Sequence, residues 1–318
     1  MKKTFWGVIV LCLITFAIVL SVLAGCEVKY ICESKAIQNG NYTLDGELVL
    51  PKTGNNFPAV VIVSGSGAMD MDGSIGSQKP YKDLSYKLAE RGIASIRFNK
   101  VTYQYADSVS KDVNFSLDDE YFYAVDDCIK ILKEDERVNN SAIYLLGHSL
   151  GAQIIPLFLQ NDTTLAGGII MAGTTMHVLD LLLEQVARQS QSLYEEYLPY
   201  ANYAKSLQTV PTGEENRYYF GAYTAYHVSY NAIDRFAVVE LDCPLLVMQG
   251  ELDLQVTTEH FETYKQLLGN KSDVVFKLYQ NLNHIFSNGI GETVATAYSR
   301  HGTIDDEVID DIVSFVLK

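Results

Sequence analysis

The chain has 318 residues, long enough to bury a large core, and a globular composition of 48% hydrophobic and 20% charged residues without repeats or low-complexity tracts. Its 24 Lys and Arg against 39 Asp and Glu give a formal net charge of −15, which argues against nucleic acid as a partner, because neutralising phosphates takes clustered cations. Acidity otherwise bears on solubility and says little about substrate.

The first 26 residues read as a targeting segment. Lys2 and Lys3 precede an uncharged apolar run from Phe5 to Leu23, and small residues follow. The run is long enough to cross a bilayer, so an uncleaved anchor is one reading. The ending Leu23-Ala24-Gly25-Cys26 resembles the lipobox of bacterial lipoproteins. That resemblance implies a signal peptide over residues 1–25, a lipid on Cys26, and a tether with the first strand over 26–39. Both readings leave an exported domain tethered outside the cytoplasmic membrane. Of the other cysteines, Cys12 lies in the leader, while Cys32, Cys128 and Cys243 form no close-set pair. Neither a disulfide framework nor a zinc site follows, and Cys128 and Cys243 are expected as buried thiols.

From residue 28 the chain alternates, and "NYTLDGELVLP" predicts antiparallel strands before Pro51. "FPAVVIV" (57–63) is a continuous β-branched run, as a strand buried on both faces requires. A helix ending at Gly92, a strand over 93–98 and an amphipathic helix over 117–135 follow. A strand over 141–147, a helix starting at Leu150 and a strand over 165–173 continue the pattern. The rhythm resumes with a strand at 243–250, a helix in "TEHFETYKQLLG", a strand at 273–280 and a last helix from about Ile304 to Leu317. Strands alternating with helices of this length predict right-handed βαβ units and a mostly parallel sheet. Between Gly173 and about Leu241 the segment reads as helical, without a strand of its own, and carries tyrosines from Tyr194 to Tyr230. It is expected to lie as a cap (174–241) over one sheet edge, its aromatics packing helix on helix, lining a pocket, or both.

The stretch "YLLGHSLGAQIIP" puts Ser149 between Gly147 and Gly151, after a strand and before a helix. A strand-to-helix turn this sharp strains the serine backbone and leaves no room for side chains two residues either way. Oγ of Ser149 would then project above the sheet at a helix N-terminus, a nucleophile's position. The hydroxyl needs a base. His148 would point away from it, His177 and His227 fall in the cap, and His260 falls in a helix. His284, in the loop after the last predicted strand, is the candidate base, with His301 in reserve. Asp253, in the loop ending the strand before it, is the candidate acid, with Glu251 as a rival. The order Ser149, Asp253, His284 is one that places nucleophile, acid and base at successive strand ends. Oxyanion donors are expected from the backbone N–H of Leu150 and, in the glycine loop "VSGSGAMDMDG" (63–73), of Ser66.

With "LDGELVLP", "FPAVVIVSGSGAMDMDG", "KDLSYKLAERGIASIRFNK", "YLLGHSLGAQIIP", "LLVMQGELDLQV" and "FKLYQNLNHIFS" assembled, residues 40–318 resemble the α/β-hydrolase superfamily. More narrowly they are similar to bacterial exported hydrolases of the dienelactone-hydrolase-like and serine-aminopeptidase-like kinds. The resemblance implies a mostly parallel eight-stranded sheet flanked by helices, with a helical cap insertion. It also implies Ser149 as nucleophile, Asp253 as acid, His284 as base and the "SGSG" loop as oxyanion hole. Departures are Ser64 where relatives usually have histidine, Ala68 and Asn99-Lys100-Val101 where they often have "GSGP" and "DKR", and Ala152 for a second glycine. The expected activity is hydrolysis of small-molecule carboxylic esters through an acyl-enzyme, with no metal or organic cofactor. A peptidase or thioesterase on the same residues is the neighbouring expectation. A peptidase would capture a free amine with Glu184, Glu195, Glu196, Glu214 or Glu215, which equally suit a solvated helix face. An inactive surface lipoprotein that binds ligands is the alternative of a different class.

Overall fold

The computed structural model describes residues 28–213 and 217–318. The leader, Cys26, Glu214 and Glu215 lie outside the described residues.

Strands β1 (Tyr30–Asn39) and β2 (Tyr42–Pro51) form an antiparallel hairpin, and β2 pairs antiparallel with β4 (Ala94–Phe98). Around β3 (Phe57–Val63) the remaining pairings are parallel: β5 (Val138–His148), β6 (Gly167–Met171), β7 (Leu245–Gly250) and β8 (Val274–Tyr279) extend the sheet. The eight strands run in the order β1-β2-β4-β3-β5-β6-β7-β8. This is the mostly parallel, eight-stranded sheet expected of an α/β-hydrolase.

The apolar run of β3 is explained by two cores. Val60 and Ile62 face a layer containing Leu84 and Leu88 of α1 (Pro80–Glu90) and Ile309 and Ile312 near the C-terminus. Ala59, Val61 and Val63 face the other layer, with Val125 and Ile129 of α2 (Tyr123–Glu134) and Ile154 and Phe158 of α3 (Gly151–Asn161). Burying both faces is what a parallel sheet between helices demands.

The cap follows β6. It contains α4 (Val178–Ala187), α5 (Gln191–Ser206) and α6 (Thr224–Asn231), with a small core of Leu179, Leu183, Ala201 and Ala204. The expectation of an all-helical cap is corrected here: Tyr218–Tyr219 pairs antiparallel with Ala222–Tyr223. Phe220 (φ 48°) and Gly221 (φ 85°) both take the left-handed region, as a two-residue hairpin turn with matching twist requires. Beyond the cap, α7 (Thr258–Leu268) and α8 (Asp306–Val316) complete the helical layers. The helix expected over 117–135 opens instead with a wide turn at Asp118–Phe122, and the last helix begins at Asp306, where Asp305 caps it through the Glu307 N–H. Cys128 is buried as expected, whereas Cys243 is only half-buried. Among the described residues no helix is long and apolar enough to cross a membrane.

Candidate active site

Loops leaving the C-terminal ends of β3, β4, β5, β6, β7 and β8 converge on one sheet edge, and every residue singled out as chemistry-bearing in the core lies there. Ser149 closes β5. Its φ of 56° places a non-glycine residue in the left-handed region, which costs on the order of 1–3 kcal/mol and persists only where the surroundings enforce it. The enforcement is visible. The Ser149 N–H donates to the Met171 carbonyl at 2.9 Å, and α3 starts two residues later. A Cβ on Gly147 would sit 2.3 Å from the Gly151 oxygen, and one on Gly151 would sit 2.3 Å from the Val63 oxygen. The two glycines are therefore set by close approach of backbone to backbone.

Asp253 and His284 are brought together. Nδ1 of His284 lies 2.7 Å from Oδ2 of Asp253, with both residues buried. The backbone N–H groups of Gln255 and Val256 donate to the other oxygen, Oδ1, at 2.7 and 2.9 Å. Nε2 of Gln249 adds a third donor at 3.0 Å from Oδ2. Burial opposes ionisation of this carboxyl, but the neighbouring His284 ring and the donated hydrogen bonds hold it below the ordinary carboxylate value. The rivals stay apart: Glu251 and His301 are exposed.

His148 points away from the cavity, as expected, but it is not idle. Gly65 N–H donates to the Tyr81 hydroxyl at 3.2 Å, and Tyr81 donates to His148 Nδ1 at 2.8 Å. The other ring nitrogen, Nε2, then carries the proton and donates to the His284 carbonyl at 2.8 Å. Ser149 is thus linked to the base loop through its own neighbour, with the two histidine rings 4.6 Å apart. Ser149 Oγ and His284 share no hydrogen bond here; such bonds commonly tighten only when substrate binds. Burial, aided by the neighbouring His284 ring, pulls the pKa of His148 down to about 3, so its ring is neutral.

The glycine loop after β3 is held from below. Gly65 has its carbonyl bonded by Lys100 Nζ at 3.0 Å and by the Tyr121 hydroxyl at 2.7 Å. Lys100 is fully buried and pairs with Glu120 at 2.6 Å, while the hydroxyl of Tyr226, from the cap, bonds the second oxygen of Glu120. Burial pulls the Lys100 ammonium below its ordinary value, and the Glu120 carboxylate acts against that pull. Asn99 accepts from the Met71 N–H at 2.7 Å, and the buried Arg97 reaches Asp72 at 3.0 Å. Because Tyr81 takes the Gly65 N–H, Ser66 offers the next free donor. Neither the Ser66 nor the Leu150 N–H has an acceptor among the described residues.

Ser66, Ser149 and Leu150 line one cavity of about 540 Å³, a size suited to a small organic ligand. Its far wall is apolar and comes from the cap: Val178, Leu179, Leu181, Leu182 and Phe220. Tyrosines divide by role. Tyr218, Tyr223 and Tyr226 line the cavity, Tyr194 and Tyr197 pack on the cap core, and Tyr230 is buried with its hydroxyl 2.5 Å from Gln153. Of the candidate cap carboxylates, Glu184 pairs with Arg188 and Glu195 bonds Gln191, and neither lines the cavity. The carboxylates that do are Asp112 and Glu120.

Sequence reasoning missed Tyr81, Lys100, Glu120 and Tyr121. The one available signal was Lys100, a cation directly after an entirely buried strand at the site's edge of the sheet.

Comparison with known proteins fits this architecture. The model of the prolyl oligopeptidase family matches residues 86–299. Esterase EstD of Thermotoga maritima is 32% identical over 282 residues, 86% of this chain and 66% of that protein. A 2,6-dihydroxy-pseudo-oxynicotine hydrolase superposes with a TM-score of 0.51 at 19% identity, over 80% of this chain and 62% of its own. Est1E from Butyrivibrio proteoclasticus superposes with a TM-score of 0.58 at 14% identity, over 90% of this chain and 99% of its own. The chain thus spans just under two thirds of the length of the first two.

Proposed function

We propose that the cavity hydrolyses carboxylic esters, from the premise that the chain belongs to the prolyl oligopeptidase family, whose model matches two thirds of its length. Ser149 Oγ attacks the ester carbonyl carbon while His284 Nε2 takes its proton. The N–H groups of Leu150 and Ser66 receive the developing oxyanion. Collapse expels the alkoxide, which takes the proton from His284, and leaves an acyl group on Ser149. Water, deprotonated by the same ring, then releases the acid. Asp253 fixes the ring with its proton on Nδ1 and stabilises the imidazolium.

The observation that carries this reading is the buried 2.7 Å Asp253–His284 hydrogen bond, in loops after two neighbouring strands, together with a cavity that Ser149 itself lines. The esterase similarity supports an ester substrate, and the apolar cap wall supports an apolar acyl or alcohol group. Peptide substrates are less well supported. Of the described cap glutamates, Glu184, Glu195 and Glu196 do not line the cavity, and Glu120, which does, is already engaged by Lys100 and Tyr226. The lipid tether at Cys26 rests on the Leu23–Cys26 ending, and the intact mass of the mature chain tests it.

The test is turnover of p-nitrophenyl esters, acetate through decanoate, by the protein and by Ser149→Ala. Loss of a triad member costs on the order of 10⁴-fold, so the variant is expected to fall to background. Ester turnover that survives the substitution would refute the assignment.

A further inference from the structure

A buried cation touches the glycine loop at the Gly65 carbonyl. Lys100 is 0% exposed, and among the described residues no other ammonium is so completely enclosed. It lies 3.0 Å from the Gly65 carbonyl oxygen, which also accepts from Tyr121 at 2.7 Å. The carbonyl of Gly65 and the N–H of Ser66 belong to one peptide unit. In a trans peptide these two groups point to opposite sides, and the described chain has no cis bond. With the carbonyl fixed toward Lys100 and Tyr121, the Ser66 N–H is aimed away from them, toward the cavity that Ser66 lines.

We propose that Lys100, with Tyr121, positions and polarises the Gly65–Ser66 peptide so that the Ser66 N–H becomes a strong, aimed oxyanion donor. The inference rests on the ester-hydrolase reading for its catalytic part. Hydrogen bonds to one end of an amide draw electron density from the nitrogen, so donation from the other end is strengthened, more so in a low-dielectric interior. A charged donor is roughly twice as strong as a neutral one. Lys100 thereby acts on the transition state through one peptide bond without touching substrate, as a positioning residue. Glu120 serves two ends of the arrangement: it neutralises Lys100 at 2.6 Å, and through Tyr226 it ties the ion pair to the cap. The Tyr81 hydroxyl holds the preceding N–H of Gly65, so the loop is gripped on either side of the Gly65 α-carbon.

Replacing Lys100 alone would strand a buried carboxylate, so the informative variant is Lys100→Met/Glu120→Gln, in which both charges go and Tyr226 keeps an acceptor. Tyr121→Phe is the second variant, removing one bond to the same carbonyl with no charge left behind. The full chain is purified in detergent with carbonyl-¹³C glycine and ¹⁵N serine, and its Gly–Ser peptides are followed by NMR, Ser66→Ala identifying the resonance. Steady-state constants on p-nitrophenyl butyrate and the affinity of an alkyl trifluoromethyl ketone, which forms a tetrahedral oxyanion adduct, are measured alongside.

Deleting an oxyanion donor outright costs about 10²–10³-fold; weakening and misaiming one is expected to cost about 10- to 100-fold in kcat. KM should stay within about threefold, ketone affinity should fall in step with kcat, and the Ser66 amide resonance should move. Tyr121→Phe is expected to change all three in the same direction by less. A folded double variant with an unmoved Ser66 resonance and kcat within twofold of the parent overturns the proposal. So does an equal fall in kcat with no change in ketone affinity. A Ser66 resonance that moves in a protein without ester turnover supports the peptide's orientation and refutes the ester reading instead.

Discussion

Asp253→Asn separates a base that is held in the right tautomer from one that is merely nearby. The new amide has two orientations, and the surroundings choose between them. The Oδ1 position receives the N–H groups of Gln255 and Val256 at 2.7 and 2.9 Å, both fixed backbone donors, so an NH₂ cannot sit there. The amide nitrogen therefore takes the Oδ2 position, 2.7 Å from His284 Nδ1. Gln249 cannot turn to compensate, because its Nε2 also donates to the Gly250 and Val256 carbonyls at 3.1 and 2.9 Å. Facing a donor, Nδ1 must become an acceptor, which moves the ring proton to Nε2 and removes the lone pair that accepts from Ser149. Loss of the productive tautomer costs on the order of 10⁴ in kcat, or about 5 kcal/mol of transition-state stabilisation. The assay is single-turnover acylation with a p-nitrophenyl ester, alongside a thermal melt to confirm folding. A folded variant within tenfold of the parent would refute the tautomer argument and, with it, Asp253 as the acid.

Two further outcomes follow from the same edge of the sheet. His148, held neutral with a pKa near 3 against 6.5 when unfolded, makes folding weaken in acid. Between those values the unfolded chain binds a proton that the folded chain refuses, so stability rises with pH through this window. The span corresponds to roughly 5 kcal/mol in all, at ~1.4 kcal/mol per pH unit. Melts of the parent and of His148→Gln between pH 4 and 7 should show a shallower slope in the variant, and equal slopes would contradict the neutral, buried ring. Gly65→Ala places a Cβ 3.0 Å from Ser149 Cβ and 3.5 Å from its Oγ, on a glycine whose φ is not left-handed. The fold should survive and phosphonylation of Ser149 by a fluorophosphonate, with loss of fluoride, should slow by about tenfold or more; unchanged labelling would mean that the loop yields without disturbing the nucleophile.

What could be read in advance divides along a physical line. The sheet was legible because strands buried on both faces leave continuous apolar runs, as in "FPAVVIV", and because Gly147 and Gly151 advertise a backbone crossing that only glycine survives. That Asp253 and His284 would meet was legible from chain order, which puts both in loops after successive strands; their roles as acid and base belong to the proposal. The cap hairpin was not. Its turn puts Phe220 at φ 48°, a conformation that no aromatic residue announces, and tyrosines suit helix and strand packing alike. Glu120, Tyr121 and Tyr226 were not legible either, because each is ordinary in its local sequence, and Lys100 offered only its place just after a buried strand. Their meaning comes from contacts spanning 20 to 106 positions of chain.

The departures from the resembled pattern also gain a reason from the packing. At Asn99-Lys100-Val101, after the fourth strand, Lys100 is buried and bonds the Gly65 carbonyl. Asn99 beside it serves the loop as an acceptor for Met71 rather than as a charge. The glycine loop that begins at Ser64 is gripped at Gly65, by Tyr81 at its N–H and by Lys100 with Tyr121 at its carbonyl. An unpaired charge at that depth would cost several kcal/mol, so Lys100 and Glu120 depend on one another in this fold. The pair joins β4, the turn before α2 and the cap at a single point below the oxyanion loop. It gives a continuous series of contacts from the cap to the Gly65–Ser66 peptide: Tyr226 to Glu120, Glu120 to Lys100, Lys100 to the Gly65 carbonyl.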